Sequence, residues 1–62
     1  MNKPVAKLTD QNGNTLNLLA ICVRALKKSG NYHQIDELRD KVLNSKSQSE
    51  AIGHMGTYCD LR

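Results

Sequence analysis

Four side chains in this sequence carry the donor atoms of a zinc site or of a thiol nucleophile: Cys22, His33, His54 and Cys59. Their successive separations of 11, 21 and 5 residues include none of the close paired spacings by which one turn presents two donors to a tetrahedral ion. No metal or other cofactor is therefore expected. A thiol nucleophile needs a partly exposed setting that favours the thiolate. Cys22 falls within an apolar run, where a free cysteine is simply a small hydrophobe, so only Cys59, near the chain's end, has such a setting open to it. His33 stands beside Asp36 and Glu37 at helical spacing, and His54 follows Glu50 by four residues. Both read as surface histidines in weak ion pairs. With no GxxxxGK phosphate loop and no nucleophile elbow, enzymatic activity is not expected.

A second chemistry is suggested by Arg24, Lys27 and Lys28, three cations within five residues that could meet a phosphate backbone. In the corresponding helix-turn-helix reading, the segment after Gly30 would be the reading helix. Its exposed face carries Asp36, Glu37 and Asp40 against Lys41 and a marginal Arg39. Phosphates would repel that face, and a basic helix end is favourable for the helix dipole without any ligand. Nucleic-acid binding through Arg24, Lys27 and Lys28 is thus the alternative reading. The Gly53-His54-Met55-Gly56 run has the Gly-x-x-Gly form of the loop that clamps nucleotides in KH domains, but that fold needs more chain and another element order.

Nine Lys plus Arg against six Asp plus Glu give a net charge of +3, which permits an acidic partner without demanding one. Sixty-two residues with two Tyr and no Trp or Phe allow one small domain, 1–62, with few large buried surfaces. Scaling the mass predicts about 10,000 Å² exposed when unfolded and about 4,000 Å² when folded. Apolar burial of roughly 90 kcal/mol then stands against about 93 kcal/mol of ordering cost. So even a balance makes oligomerisation or stabilisation by a partner an expectation. MNKPVAKLTD lacks the apolar core of a signal peptide, and the run from Leu18 to Val23 is far shorter than the ~20 residues of a membrane span. A cytoplasmic location is expected, with two cysteines outside any disulfide framework.

The elements that must position these residues follow from hydrophobic period and capping. Val5-Ala6-Lys7-Leu8-Thr9 alternates as a short strand, and Asp10-Gln11-Asn12-Gly13-Asn14 is a turn in which Gly13 is expected at φ > 0. A helix capped by Asn14 or Thr15 then runs from Leu16 to the Lys27-Lys28-x-Gly30 stop. At ~100° per residue its apolar arc spans roughly 220°, from Ile21 round to Leu16, leaving Asn17, Ala20, Arg24, Lys27 and Lys28 outside. Asn31 and Gln34 form a capping-box-like start for a second helix bearing Ile35, Leu38, Val42 and Leu43. Ser47 and Glu50 open a third through Ala51, Ile52 and Met55, weakened by Gly53 and Gly56 at about 1 kcal/mol each. The tail Thr57–Arg62 alternates again and pairs with the first strand, turning Ala6, Leu8, Cys59 and Leu61 toward the helices. The expected architecture is α+β, in the order β-α-α-α-β, with a two-stranded sheet from the chain ends on a buried central helix. Such a sheet leaves two open edges, and pairing between copies would close them. A homodimer is therefore expected, with Leu18, Ile21, Tyr58 and Leu61 as candidate interface or partner-contact residues.

The stretch KLTDQNGNTLNLLAICVRALKKSG, with its strand, Gly-Asn turn and apolar helix ending Ala-Leu-basic-basic-x-Gly, resembles a group of small uncharacterised proteins of phages, prophages and conjugative elements of Gram-positive bacteria. YCDLR stands where those proteins end in a short alternating strand. The chain departs from them at Asn12, where Asp is more usual, and at Ala20, where Gly is common; neither change opposes the fold. The resemblance implies a mobile-element setting and no reaction. Together with the surplus apolar arc it leads to the expectation of a non-enzymatic, protein-binding accessory protein of the bacterial host cytoplasm, acting stoichiometrically on a host or phage protein, an inhibitor of a defence system being one such role.

Overall fold

A computed structural model describes residues 3–8 and 13–62. In chain order these form β1 (Val5–Ala6), α1 (Thr15–Lys28), α2 (Tyr32–Leu43), α3 (Gln48–Tyr58) and β2 (Asp60–Leu61). The fold is α+β: three helices and a two-stranded sheet built from the chain termini. The strands are parallel, with Val5 opposite Asp60 and Ala6 opposite Leu61, because three helices carry the chain back before β2 begins. Asp10, Gln11 and Asn12 of the expected turn, and Thr9 of the expected strand, lie outside the described residues.

Local chemistry explains where each helix starts and stops. The Asn14 side chain accepts the Leu16 N–H at 2.9 Å and opens α1. At the other end the Gly30 N–H donates to the Lys27 carbonyl and the Asn31 N–H reaches back to that of Leu26, a paired closure that requires a left-handed residue between them. Gly30 is that residue, at φ +80°. The positive φ expected at Gly13 turns on Asn12, which lies outside the described residues. The expected capping box at Asn31 is also absent, since its side-chain amide donates instead to Ser29 Oγ at 2.7 Å. In α3 the Ser47 hydroxyl accepts the Glu50 N–H at 3.1 Å, and the Glu50 carboxylate accepts the N–H of Lys46 at 3.0 Å. Neither Gly53 nor Gly56 stops this helix, which takes in Thr57 and Tyr58, residues expected in the final strand.

Leu18, Leu19, Cys22, Val23 and Leu26 are buried on α1 and meet Ile35, Leu38 and Val42 of α2 and Ala51, Met55 and Tyr58 of α3 in one core. That buried set spans about 140° of α1 at ~100° per residue. Half-buried Ile21 and Ala25 extend it on one side, while Leu16 on the other stays 63% exposed, so the expected arc is covered except at its first turn. The chain covers these residues by itself. Its accessible surface of 4340 Å² is close to the size-scaled expectation of about 4,000 Å². Among the described residues no helix is long and apolar enough to cross a membrane.

Candidate docking face

Strand β1 divides its groups by parity. Toward β2, the Pro4 carbonyl accepts the Asp60 N–H at 2.8 Å, the Ala6 carbonyl accepts the Arg62 N–H at 2.9 Å, and the Leu8 N–H donates to the Arg62 carbonyl. A parallel ladder uses alternate residues in this way, so the N–H and C=O of Val5 and Lys7 face the opposite edge. Among the described residues no backbone group bonds to them. Side chains alternate across the sheet faces: Ala6 is buried against the helices, whereas Val5 is 47% exposed and Lys7 lies in solvent.

Beside this free edge runs the α1 face formed by Ile21, Arg24, Ala25 and Lys28, which helical spacing places in one stripe. Strand and helix enclose an open groove of about 550 Å³. Its floor is aliphatic, from Val5, Ala6, Ile21 and Ala25, and its rim is cationic, from Lys7, Arg24, Lys27 and Lys28. No described carboxylate lines it. The acidic groups Asp36, Glu37 and Asp40 belong to α2, where they are exposed.

The structure treats the expected interface residues unequally. Leu18 is 5% exposed and Tyr58 9%, so both contribute their apolar surface to the monomer's own core. Tyr58 ties α3 to α2: its hydroxyl donates to Glu37 Oε2 at 3.3 Å, and Lys41 Nζ stands 5.1 Å over the ring centroid. Ile21 reaches the groove. Leu61, half-buried, packs near Gly56, whose carbonyl accepts a 2.8 Å hydrogen bond from Lys3 Nζ. Arg24, Lys27 and Lys28, reached from the sequence as a nucleic-acid patch, converge on the groove with Lys7. Val5 and Lys7 were not among the expected site residues. Their signal was the spacing of Lys3, Val5 and Lys7 two residues apart around Pro4, lysine and proline on a short strand being the pattern of an edge.

The chemistry-bearing residues separate into two groups. Cys22 and Cys59 meet in the core, where the Cys59 thiol points at the Cys22 carbonyl at 3.7 Å. Burial, and then the neighbouring Cys59, push the Cys22 thiol up to about 12; burial also raises Cys59. Thiols so placed stay protonated at neutral pH and are poor nucleophiles. His33 is exposed on α2, and His54 on α3 stands 3.9 Å from Glu50. Among the described residues no three His, Cys, Asp or Glu side chains gather as ion ligands. No family model, no curated protein and no solved structure matches this chain.

Proposed function

We propose that this chain is a non-enzymatic protein-binding module, an accessory protein of a phage or other mobile element that works in the bacterial host cytoplasm. It acts stoichiometrically by docking on a host or phage protein, inhibition of a defence system being one such role. In this reading α1 is the central helix of a β-α-α-α-β unit, holding the terminal sheet on one side and presenting its basic stripe beside it. The observation that carries the proposal is the groove between β1 and α1, which joins an aliphatic floor, four cations and an open strand edge.

A second reading, nucleic-acid binding through Arg24, Lys27 and Lys28, draws on the same convergence of charge. The acidic exposed face of α2 opposes it in helix-turn-helix form. The two are separated by affinity capture from host lysate with and without nuclease, using the native chain and an Arg24→Glu, Lys28→Glu double variant. A nuclease-resistant protein held by the native chain and released by the variant supports docking. Capture that vanishes with nuclease, together with a duplex-DNA shift that weakens steeply with salt and is abolished by the Arg24, Lys27, Lys28 triple alanine variant, supports the second reading instead.

A further inference from the structure

We infer that the free edge of β1 receives an extended, acidic segment of a partner protein as a third strand of the sheet. The inference rests on the docking reading and adds to it the conformation and charge of what docks. Two peptide units, those of Val5 and Lys7, present N–H and C=O groups on the side of β1 away from β2, and among the described residues these have no backbone partner. Unpaired edge groups are a template for an added strand, which supplies main-chain bonds irrespective of sequence. Specificity then comes from alternate side chains of the newcomer. One set would turn toward α1, onto Ile21 and Ala25 and the rim of Arg24 and Lys28, and the other toward the outer face beside Val5 and Lys7. Carboxylates complement that rim.

The same charges decide against a second copy as the occupant. Pairing β1 with β1 would bring Lys3 and Lys7 of each chain together and set two cationic rims against each other. Lysine and proline on a short edge strand discourage such self-pairing. Toward an acidic strand the lysines have the opposite effect, so one feature both excludes the homologous partner and selects the heterologous one.

The test uses the intact chain and a blocked peptide of alternating Glu and Val, with an alternating Lys and Val peptide as control, followed by two-dimensional amide NMR. The acidic peptide is expected to move the Val5 and Lys7 amide resonances together with Ile21, saturating in the range of about 1 mM or tighter, and the basic peptide to move none. Val5→Pro removes one outward N–H and no bond to β2, so it should weaken binding about fivefold while the Asp60 and Arg62 amides keep their positions. Arg24→Glu with Lys28→Glu, both on the exposed face of α1, should weaken it by about tenfold or more. If Val5→Pro itself unfolds the chain, the charge-reversal pair and the Val5 and Lys7 resonances still decide. No shift at Val5 and Lys7 with the acidic peptide overturns the inference. The docking reading survives that result alone if the native chain still holds a nuclease-resistant partner through Arg24 and Lys28. Displacement of the peptide by duplex DNA at equal charge overturns both.

Discussion

Replacing Gly30 with alanine should lower the melting temperature, while the same replacement at Gly53 should raise it. Gly30 sits at φ +80° between the two hydrogen bonds that close α1, so a Cβ there costs about 1–2 kcal/mol. Loss of unfolded-state freedom returns about 0.4–1 kcal/mol, leaving a net destabilisation near 1 kcal/mol. Space plays no part, because nothing stands within 4 Å of the added carbon. Gly53 also has nothing within 4 Å, but it lies inside α3 without positive φ, where alanine is favoured by about 1 kcal/mol. For a domain this small, 1 kcal/mol moves the midpoint by about 4–8 °C, so the two variants should differ by roughly 10 °C in thermal unfolding followed by circular dichroism. A melting temperature unchanged or raised by Gly30→Ala would refute the reasoning.

Leu26→Ala, which empties a site 0% exposed in the core, should cost about 2–5 kcal/mol out of a total stability near 3–9 kcal/mol, and urea titration should find the variant at or beyond the edge of folding. Tyr58→Phe removes the hydroxyl bonded to Glu37 but keeps the ring under Lys41, so it should cost only about 0.5–1.5 kcal/mol by the same titration. Alkali should destabilise the fold through Cys22. Its thiol is pushed up to about 12 from a usual 9.0, so the unfolded chain ionises first, and stability held in full below pH ~9 is lost as pH rises toward 12. Cys22→Ala should flatten that decline, and an unchanged slope in urea midpoints against pH would contradict it.

Helix boundaries were readable where the chain writes them in short-range chemistry. Asn14 and Ser47 cap through their own side chains, and Lys27-Lys28-Ser29-Gly30 ends α1 as a basic last turn followed by glycine. Asn31 misled because Ser29 Oγ competes for its side chain, a partner two residues upstream that no capping pattern includes. Strand direction was not legible, since two-residue strands carry too little alternation to fix register or sense. The Cys22–Cys59 contact joins residues 37 apart in sequence and exists only once α1 and the end of α3 are packed. An apolar arc tells how much of α1 wants cover, not which neighbour supplies it, so Leu18 could be read as interface although the chain's own core buries it. Tyr58 was placed on a strand, where alternation would turn it outward; as the last residue of α3 it turns into the core. The cations of the groove were visible as Arg24, Lys27 and Lys28, but the edge they border depends on which side of β1 is taken by β2.

Amide hydrogen exchange in the isolated protein tests the open edge of β1 most directly. Slow exchange is expected at Ala6, Leu8, Asp60 and Arg62, the amides within the parallel ladder, with Val5 and Lys7 exchanging at rates close to those of an unfolded peptide. Strong protection of Val5 and Lys7 in the free chain would mean that the edge is already occupied, and the docking account would then be wrong.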